Sequence, residues 1–172
     1  MEKVICSVCQ KPKAKLDCGI CHSPLCKNCA QFLAEDTFSF LKKIPEVLKQ
    51  SIYCPPCFTE NVEQPLAEYN ATMIKAKEIL IFTKSQGKET RFIKRLEDPI
   101  VLKNFPDHDE LLMRMAFKAV QMDYNAIVDV DLTSEKVRTG AYQTQTWTGT
   151  GIPAFVDDNK LIKDRSFSSQ PN

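Results

Sequence analysis

Residues 18–29 read CGICHSPLCKNC, two Cys-x2-Cys pairs with four residues between them. A third pair, Cys6 and Cys9, lies before this stretch, and a fourth pair, Cys54 and Cys57, lies after it. In a Cys-x2-Cys turn both sulfur atoms can point at one metal ion. Two such turns complete a tetrahedral site of four thiolates, which is typical of structural Zn²⁺. The sequence therefore predicts two Zn²⁺ ions in the N-terminal third of the chain.

The spacing of the pairs bears on which of them share an ion. Only four residues separate Cys21 from Cys26, which is short for two pairs that bind the same ion in a relaxed geometry. We therefore favour an interleaved arrangement, in which alternate pairs share an ion. The first zinc would take Cys6, Cys9, Cys26 and Cys29, and the second zinc would take Cys18, Cys21, Cys54 and Cys57. Sequential pairing, first with second and third with fourth, stays open as the alternative.

Neither zinc site would have an open coordination position for catalysis. Eight thiolates for two ions leave no coordination position for a substrate, whereas catalytic zinc keeps one open. His22 directly follows Cys21 and could replace a sulfur ligand, although an exposed histidine beside a complete site is the simpler interpretation. Because about sixty residues bury too little apolar surface to fold alone, we expect metal binding and folding to be one event. We expect no enzymatic activity and no catalytic residues.

Composition restricts the class of protein further. The chain has 172 residues, of which 43% are hydrophobic and 26% are charged, an ordinary globular composition. A formal net charge of +1 gives no reason to expect nucleic acid as a partner. The first residues contain no apolar run typical of a signal peptide, and no stretch approaches the roughly 18–20 apolar residues of a membrane span. Dense cysteine then favours metal binding in a reducing compartment, so we expect a cytoplasmic protein.

The remainder of the chain predicts an α+β fold. We expect a zinc domain over 1–60 with a helical insert at 31–44, a connecting helix over 61–77, an α+β domain over 78–156 and a flexible tail over 157–172. In the second domain, periodicity predicts a strand at 79–83, one or two strands within 91–103 interrupted at Asp98-Pro99, a helix that begins near Asp107, and strands at 126–133 and 142–156. This is the order β-β-α-β-β. The apolar residues of the helix fall on one face, at Leu111, Leu112, Met115, Ala116, Ala119 and Val120. Gly149 and Gly151 are expected bulge or bend sites in the last strand.

Two groups of acidic residues in the second domain invite a metal or catalytic interpretation. The run 107–110 reads DHDE, but acidic residues after Pro106 are also typical of a helix N-terminus. Asp129 and Asp131 alternate with Val128 and Val130, which predicts one wet and one buried strand face. For both groups we favour the structural interpretation over a ligand or carboxylate-pair role.

The cysteine pattern resembles FYVE-type zinc fingers. The four-residue step between the second and third pairs, with Cys6-x2-Cys9 before it and Cys54-Pro-Pro-Cys57 after it, is that family's spacing. The resemblance covers about the first third of the chain and implies the interleaved, cross-braced topology. RING fingers, which transfer ubiquitin, normally show a Cys-x-His step where this chain has the Cys18 pair, so an enzyme of that type is the disfavoured alternative.

The function of FYVE domains transfers poorly to this sequence. They typically bind phosphatidylinositol 3-phosphate through a basic motif at the third cysteine, where residues 14–19 here read AKLDCG. The family's arginine before the seventh cysteine is Tyr53, and Lys11, Lys13 and Lys15 are a weak substitute for clustered Arg and His. With two zinc sites of four thiolates each, the module would also be net negative, which opposes phosphate and nucleic acid. Phosphoinositide recruitment to a membrane stays a disfavoured alternative.

The second domain resembles the YbjQ-like family of small α+β proteins. The residues that carry the resemblance are EILIFT at 78–83, QMDYN at 121–125, AIVDV at 126–130 and GTGIPA at 149–154. Members are thought to form oligomeric rings and have been linked to heavy-metal binding, so the resemblance implies a possible homo-oligomer and no defined chemistry. The leading hypothesis is a zinc-binding, non-catalytic adaptor that binds a protein partner. A metal-handling or metal-sensing protein is the alternative.

Overall fold

A computed structural model describes residues 4–140 and 142–157. The chain divides into two compact units, Met1–Ala71 and Thr72–Asn172, with the boundary inside a long helix. Both helix and sheet are present, as the α+β class requires. The expected flexible tail lies outside the described residues beyond Asp157. Within the described ranges, no helix combines the length and apolarity needed to cross a bilayer.

The N-terminal unit is built from two short hairpins and one helical segment. Strands β1 (Leu16–Asp17) and β2 (Pro24–Leu25) pair antiparallel, as do β3 (Gln31–Phe32) and β4 (Ile52–Tyr53). Helix α1 (Pro55–Phe58) continues through a π-helical segment, Thr59–Glu63, into α2 (Gln64–Glu78). The buried cluster between the hairpins consists mainly of cysteines, with Leu25 as its one fully buried aliphatic residue. The unit also buries apolar side chains outside this cluster, among them Phe38, Tyr53 and Val62.

The predicted helical insert at 31–44 is wrong. After β3 the chain forms successive three-residue turns, in which the N–H of Thr37, Ser39 and Leu41 each donates to the carbonyl three residues earlier. Asp, Thr and Ser side chains compete with helical hydrogen bonding, which favours turns here. Phe38 is buried edge-on against the Tyr69 ring at 5.2 Å between centroids, away from the cysteine cluster.

The C-terminal unit contains one four-stranded sheet. Its strands are β5 (Leu80–Thr83), β6 (Ile100–Phe105), β7 (Ala126–Thr139) and β8 (Tyr142–Ala154), and helix α3 (His108–Gln121) follows β6. The spatial order is β5-β7-β8-β6, with β5 parallel to β7 and the other neighbours antiparallel. The sequence therefore runs β-β-α-β-β. Of the one or two strands expected within 91–103, the one after Pro99 forms as part of β6, whereas residues 86–95 form local turns.

Helix α3 covers one face of this sheet. Its predicted apolar face is confirmed, since Leu111, Met115 and Ala119 are fully buried. Gly149 and Gly151 are not bulge sites in β8 but leave room for α3. A Cβ on Gly151 would lie 2.6 Å from Ile127 Cγ2, and one on Gly149 would lie 2.8 Å from Met115 Sδ. The two glycines therefore set how closely the helix can approach the sheet.

The bulges lie in the partner strands of β8. The pairing of β7 with β8 shifts between Val128 and Asp131, and Asp129 within the shift has a left-handed φ of 53°. The extra residue reverses the alternation, so Val130 joins the cluster under α3 while Val128 joins the cluster on the opposite face. The prediction that both valines share one buried face is therefore wrong.

The opposite face of the sheet is covered by the segment between β5 and β6. Arg95 fixes this segment, because its guanidinium donates to both carboxylate oxygens of Asp129 and to the carbonyls of Thr90 and Ile93. Ile93 then packs into the buried cluster with Val128. The Arg95 hydrogen bonds lower the pKa of Asp129 below its usual value. Asp131 forms a separate, more exposed ion pair with Lys84.

Gly151→Ala is expected to destabilise the C-terminal unit by about 1–3 kcal/mol, because the added methyl group forces Ile127 or α3 to move. Urea unfolding followed through the fluorescence of Trp147, the single tryptophan, measures this change. Gly87→Ala is the matched control, since its Cβ would meet only the Lys84 carbonyl at 3.4 Å. Equal midpoints for the two variants would contradict close packing at Gly151.

Asp129→Asn is expected to lower the free energy of unfolding at neutral pH by about 1–2 kcal/mol, because one partly buried charged acceptor of Arg95 is lost. The depressed pKa of Asp129 stabilises the fold above its unfolded value of about 3.9 and ceases to do so as pH falls through the folded value. The difference between wild type and variant should therefore be constant from about pH 5 to pH 8 and shrink below about pH 4. Asp131→Asn, at the exposed pair, should cost less at every pH.

Candidate metal centre

The first two cysteine pairs form the same backbone turn. In one, the N–H of Gln10 donates to the Cys6 carbonyl at 2.9 Å, and in the other the N–H of His22 donates to the Cys18 carbonyl at 2.9 Å. Gln10 and His22 have left-handed φ values of 57° and 56°. This reversal directly after the second cysteine of each pair lets both sulfur atoms face the same side.

The third and fourth pairs lie instead at the start of helical turns. The N–H groups of Cys29 and Ala30 both donate to the Cys26 carbonyl, at 3.0 and 3.1 Å. Cys54 precedes the first residue of α1, and its carbonyl accepts from the N–H of Phe58 at 2.9 Å. The first two pairs therefore share one local geometry and the last two pairs share another.

Tertiary structure groups the eight thiols into two sets of four. The first thiol cluster consists of Cys6, Cys9, Cys26 and Cys29, and the second thiol cluster consists of Cys18, Cys21, Cys54 and Cys57. Within each set the sulfur atoms lie within 4.8 Å of one another. Each cluster joins one left-handed turn to one helical turn, and its members are those that the interleaved arrangement pairs. The hairpins cause this grouping, because β2 leads into Cys26 and β4 leads into Cys54.

The distances between sulfur atoms suit a tetrahedral ion. Cys9 Sγ lies 3.7 Å from Cys26 Sγ, and Cys21 Sγ lies 3.6 Å from Cys54 Sγ. Four sulfur atoms at about 2.3 Å from a central Zn²⁺ would stand about 3.8 Å apart, close to these values. All eight cysteines are free thiols. Both clusters are therefore geometrically suited to hold a metal ion.

Backbone N–H groups support the buried sulfur atoms. The N–H of Cys26 donates to Cys6 Sγ, and the N–H of Cys54 donates to Cys18 Sγ, each at 3.3 Å. In both cases the donor belongs to the later pair of the cluster and the acceptor to the earlier pair. These hydrogen bonds tie the two halves of each cluster together and favour the thiolate form of the accepting sulfur.

Charge is unevenly distributed within the clusters. Backbone hydrogen bonds from Cys9, Cys26 and Val8 lower the pKa of Cys6 to about 6. In the same cluster, the hydrogen bond to the Cys26 side chain and burial raise the pKa of Cys29 to about 12. Adjacent thiolates repel each other, so four of them cannot all be ionised without a cation. A divalent ion at the centre would remove this repulsion, and the donor set therefore fits a metal.

Two residues beside the second thiol cluster were not anticipated from the sequence. The Cys21 thiol and the Ser23 hydroxyl lie 3.2 Å apart, and this contact is the main reason that the pKa of Cys21 falls to about 6. Gly19 packs beneath Gln50, whose Cβ would lie 2.6 Å from a Cβ at position 19. The Cys21–Ser23 contact could have been predicted, because the serine lies only two residues after the pair. The Gly19–Gln50 contact could not, because a long loop separates the two residues. His22 is exposed and belongs to neither cluster.

The acidic residues of the C-terminal unit have structural partners. Asp107 Oδ1 accepts from the N–H of Glu110 at 2.7 Å and so caps α3, as the structural interpretation predicted. Asp109 contacts His108, and Glu110 forms an ion pair with Arg114. Asp129 and Asp131 bind Arg95 and Lys84 rather than each other. In the described part of the chain, the two thiol clusters are the groups with metal-ligand geometry.

Comparison of the chain with protein-family models, with curated proteins and with solved structures finds no match.

Cys21 is expected to be the first cysteine modified when metal-loaded protein is treated with N-ethylmaleimide. It is the one exposed member of the clusters, so the reagent reaches its sulfur atom first. Peptide mass spectrometry at short reaction times identifies the site. First modification at Cys9 or Cys29 would contradict the exposure pattern.

Proposed function

We propose that residues 1–60 form a structural zinc module with two ions and that the chain acts as a non-catalytic adaptor. The single observation that carries this proposal is the presence of two complete sets of four thiols. A tetrahedral ion in either set would have all its positions filled by the protein, so neither site could bind a substrate. The metal would hold together the cysteine cluster, which contains little apolar surface of its own.

Zinc is favoured among the metals that bind thiolates. All-sulfur tetrahedral sites select Zn²⁺ or iron–sulfur centres. A cluster of several iron and sulfide atoms would hold some of its cysteine sulfur atoms further apart. In each set here, all four sulfur atoms lie within 4.8 Å of one another. A single ion fits the spacing, and Zn²⁺ is the ion that forms such structural sites most widely.

Exposed apolar residues of the N-terminal unit support the adaptor role. Val4, Ile5 and Val8 flank the first cysteines and are about half exposed, and Phe32 in β3 is 55% exposed. Apolar side chains held outside the core by a rigid scaffold are typical of a protein-binding surface. We infer that the metal fixes this surface and that a protein partner covers it.

Metal analysis of the purified chain tests the zinc module, and about two Zn²⁺ per chain are expected. Paired substitutions also test the interleaved arrangement. Cys6→Ser with Cys26→Ser removes two ligands of one ion, so one Zn²⁺ should remain. Cys6→Ser with Cys18→Ser removes a ligand from each ion, so both should be lost or weakened. Sequential pairing predicts the reverse result.

Cobalt substitution checks the ligands of each remaining ion. Absorption bands of tetrahedral four-sulfur Co²⁺ are expected from wild type and, at half intensity, from the Cys6→Ser and Cys26→Ser double variant. Fewer than four sulfur donors would contradict the closed sites. A third tightly bound ion would favour the metal-handling alternative.

The adaptor role is tested by substitutions in the exposed apolar surface and not among the metal ligands. Phe32→Ser should abolish capture of a specific partner while leaving two zinc ions bound, because its side chain is exposed and is not a ligand. Phe38→Ser is not a suitable control, since Phe38 is buried. Lys27→Ser, at an exposed position between ligands, is the matched surface control. Ubiquitin transfer by the chain in a reconstituted assay would contradict a non-catalytic role.

A further inference from the structure

The hairpin of β7 and β8 extends beyond the sheet. Strand β5 pairs with β7 only as far as Val130, and β6 pairs with β8 only from Gly151 to Trp147. The two long strands nevertheless continue to pair with each other up to the turn between them. We call this extension, residues 134–139 of β7 and 142–146 of β8, the β-arm. In the described part of the chain no third strand adjoins it.

Two strands alone make a marginal structure. An isolated two-stranded ribbon is barely stable in water, and its outer edges present unpaired N–H and carbonyl groups. From Ser134 to Arg138 the β-arm residues of β7 are all exposed, and so are residues 142–145 of β8. The outer edge of β7 along the β-arm is therefore a free template for another strand.

The register gives the two faces of the β-arm different chemistry. Lys136 lies opposite Gln145 and Arg138 lies opposite Gln143, so these four side chains share one face. No carboxylate is among them, and neither cation forms an ion pair with a described residue.

The other face carries one acidic residue and otherwise uncharged side chains. Glu135 lies opposite Thr146 and Val137 lies opposite Thr144. Tyr142 is 80% exposed, and Val137 is 41% exposed. A strand that paired with the β7 edge would therefore meet cations on one side and a β-branched residue on the other.

We propose that the β7 edge of the β-arm binds an extended acidic segment of a partner protein as an additional antiparallel strand. Carboxylates at alternate positions of this segment would lie opposite Lys136 and Arg138, and β-branched residues between them would lie opposite Val137. Main-chain hydrogen bonds to the free edge supply affinity, and the charge pattern supplies selectivity. This site is separate from the thiol clusters and does not depend on the proposed zinc module.

Other occupants fit the β-arm less well. Nucleic acid binding draws on many phosphate contacts, and this face offers two cations. A second copy of the same edge, related by a two-fold axis normal to the sheet, would place Lys136 and Arg138 opposite each other or opposite themselves. Like charges directly opposite destabilise a strand pair. Charge complementarity therefore favours a carboxylate-rich strand.

The test is fluorescence anisotropy of a labelled peptide, acetyl-DVDVDV-amide, with the full chain. Saturable binding is expected, and the peptide in which Lys replaces every Asp should not bind. Lys136→Glu with Arg138→Glu should weaken binding of the acidic peptide at least about tenfold and create binding of the Lys peptide. Lys88→Glu with Lys103→Glu changes net charge equally at exposed positions outside the β-arm and should leave binding unchanged.

Backbone methylation separates strand addition from simple charge attraction. Methyl groups on alternate peptide nitrogens remove the N–H donors along one edge of the added strand, so one methylation pattern should abolish binding while the other preserves it. Equal binding of both patterns would overturn the proposal. So would unchanged affinity after charge reversal at 136 and 138, or displacement of the peptide by a DNA duplex at lower concentration than by unlabelled peptide. Trp147 fluorescence and circular dichroism verify that each variant is folded.

Discussion

The N-terminal unit depends on the convergence of four thiols at each of two points. Its buried cluster is composed of Cys6, Cys18, Cys26, Cys54 and only one large aliphatic residue, Leu25. Apolar burial within this cluster is small, and the other buried side chains of the unit, such as Phe38, Tyr53 and Val62, lie outside it. The hairpins, the left-handed turns at Gln10 and His22 and the start of α1 all serve to bring sulfur atoms to the two points.

The C-terminal unit is held by packing and by one partly buried ion pair. Met115 of α3 can lie close to the sheet because β8 has no side chain at Gly149 or Gly151. On the other face, Arg95 joins the covering segment to Asp129. The bulge at Asp129 connects the two faces, since it turns Val130 towards the helix and Val128 away from it. The C-terminal unit therefore relies on an apolar core and an ion pair, whereas the N-terminal unit is organised around its cysteine clusters.

Sequence reasoning was accurate where chemistry is local. Cys-x2-Cys pairs have few uses, so the eight cysteines and their interleaved grouping could be predicted from spacing. Asp107 before an apolar periodic run predicted the start of α3, because capping involves only the first turn. The predicted helix at 31–44 failed, because short-range turns around Asp36 and Ser39 outweighed weak helical periodicity. No strand forms immediately before Pro99 for a related reason, because the Arg95 guanidinium donates to the carbonyls of Thr90 and Ile93 within local turns.

What the sequence alone determined is the set of thiols, their spacing and the alternation of strands and helix. These features follow from residue type and from contacts between near neighbours. Tertiary structure decided which face each valine of β7 occupies, why β8 needs two glycines and how far the β-arm extends beyond its neighbours. Each of these depends on where another strand begins or ends. A single bulge shifts every later side chain to the opposite face of the sheet. The sequence of β7 does not show where its pairing with β8 requires such a bulge.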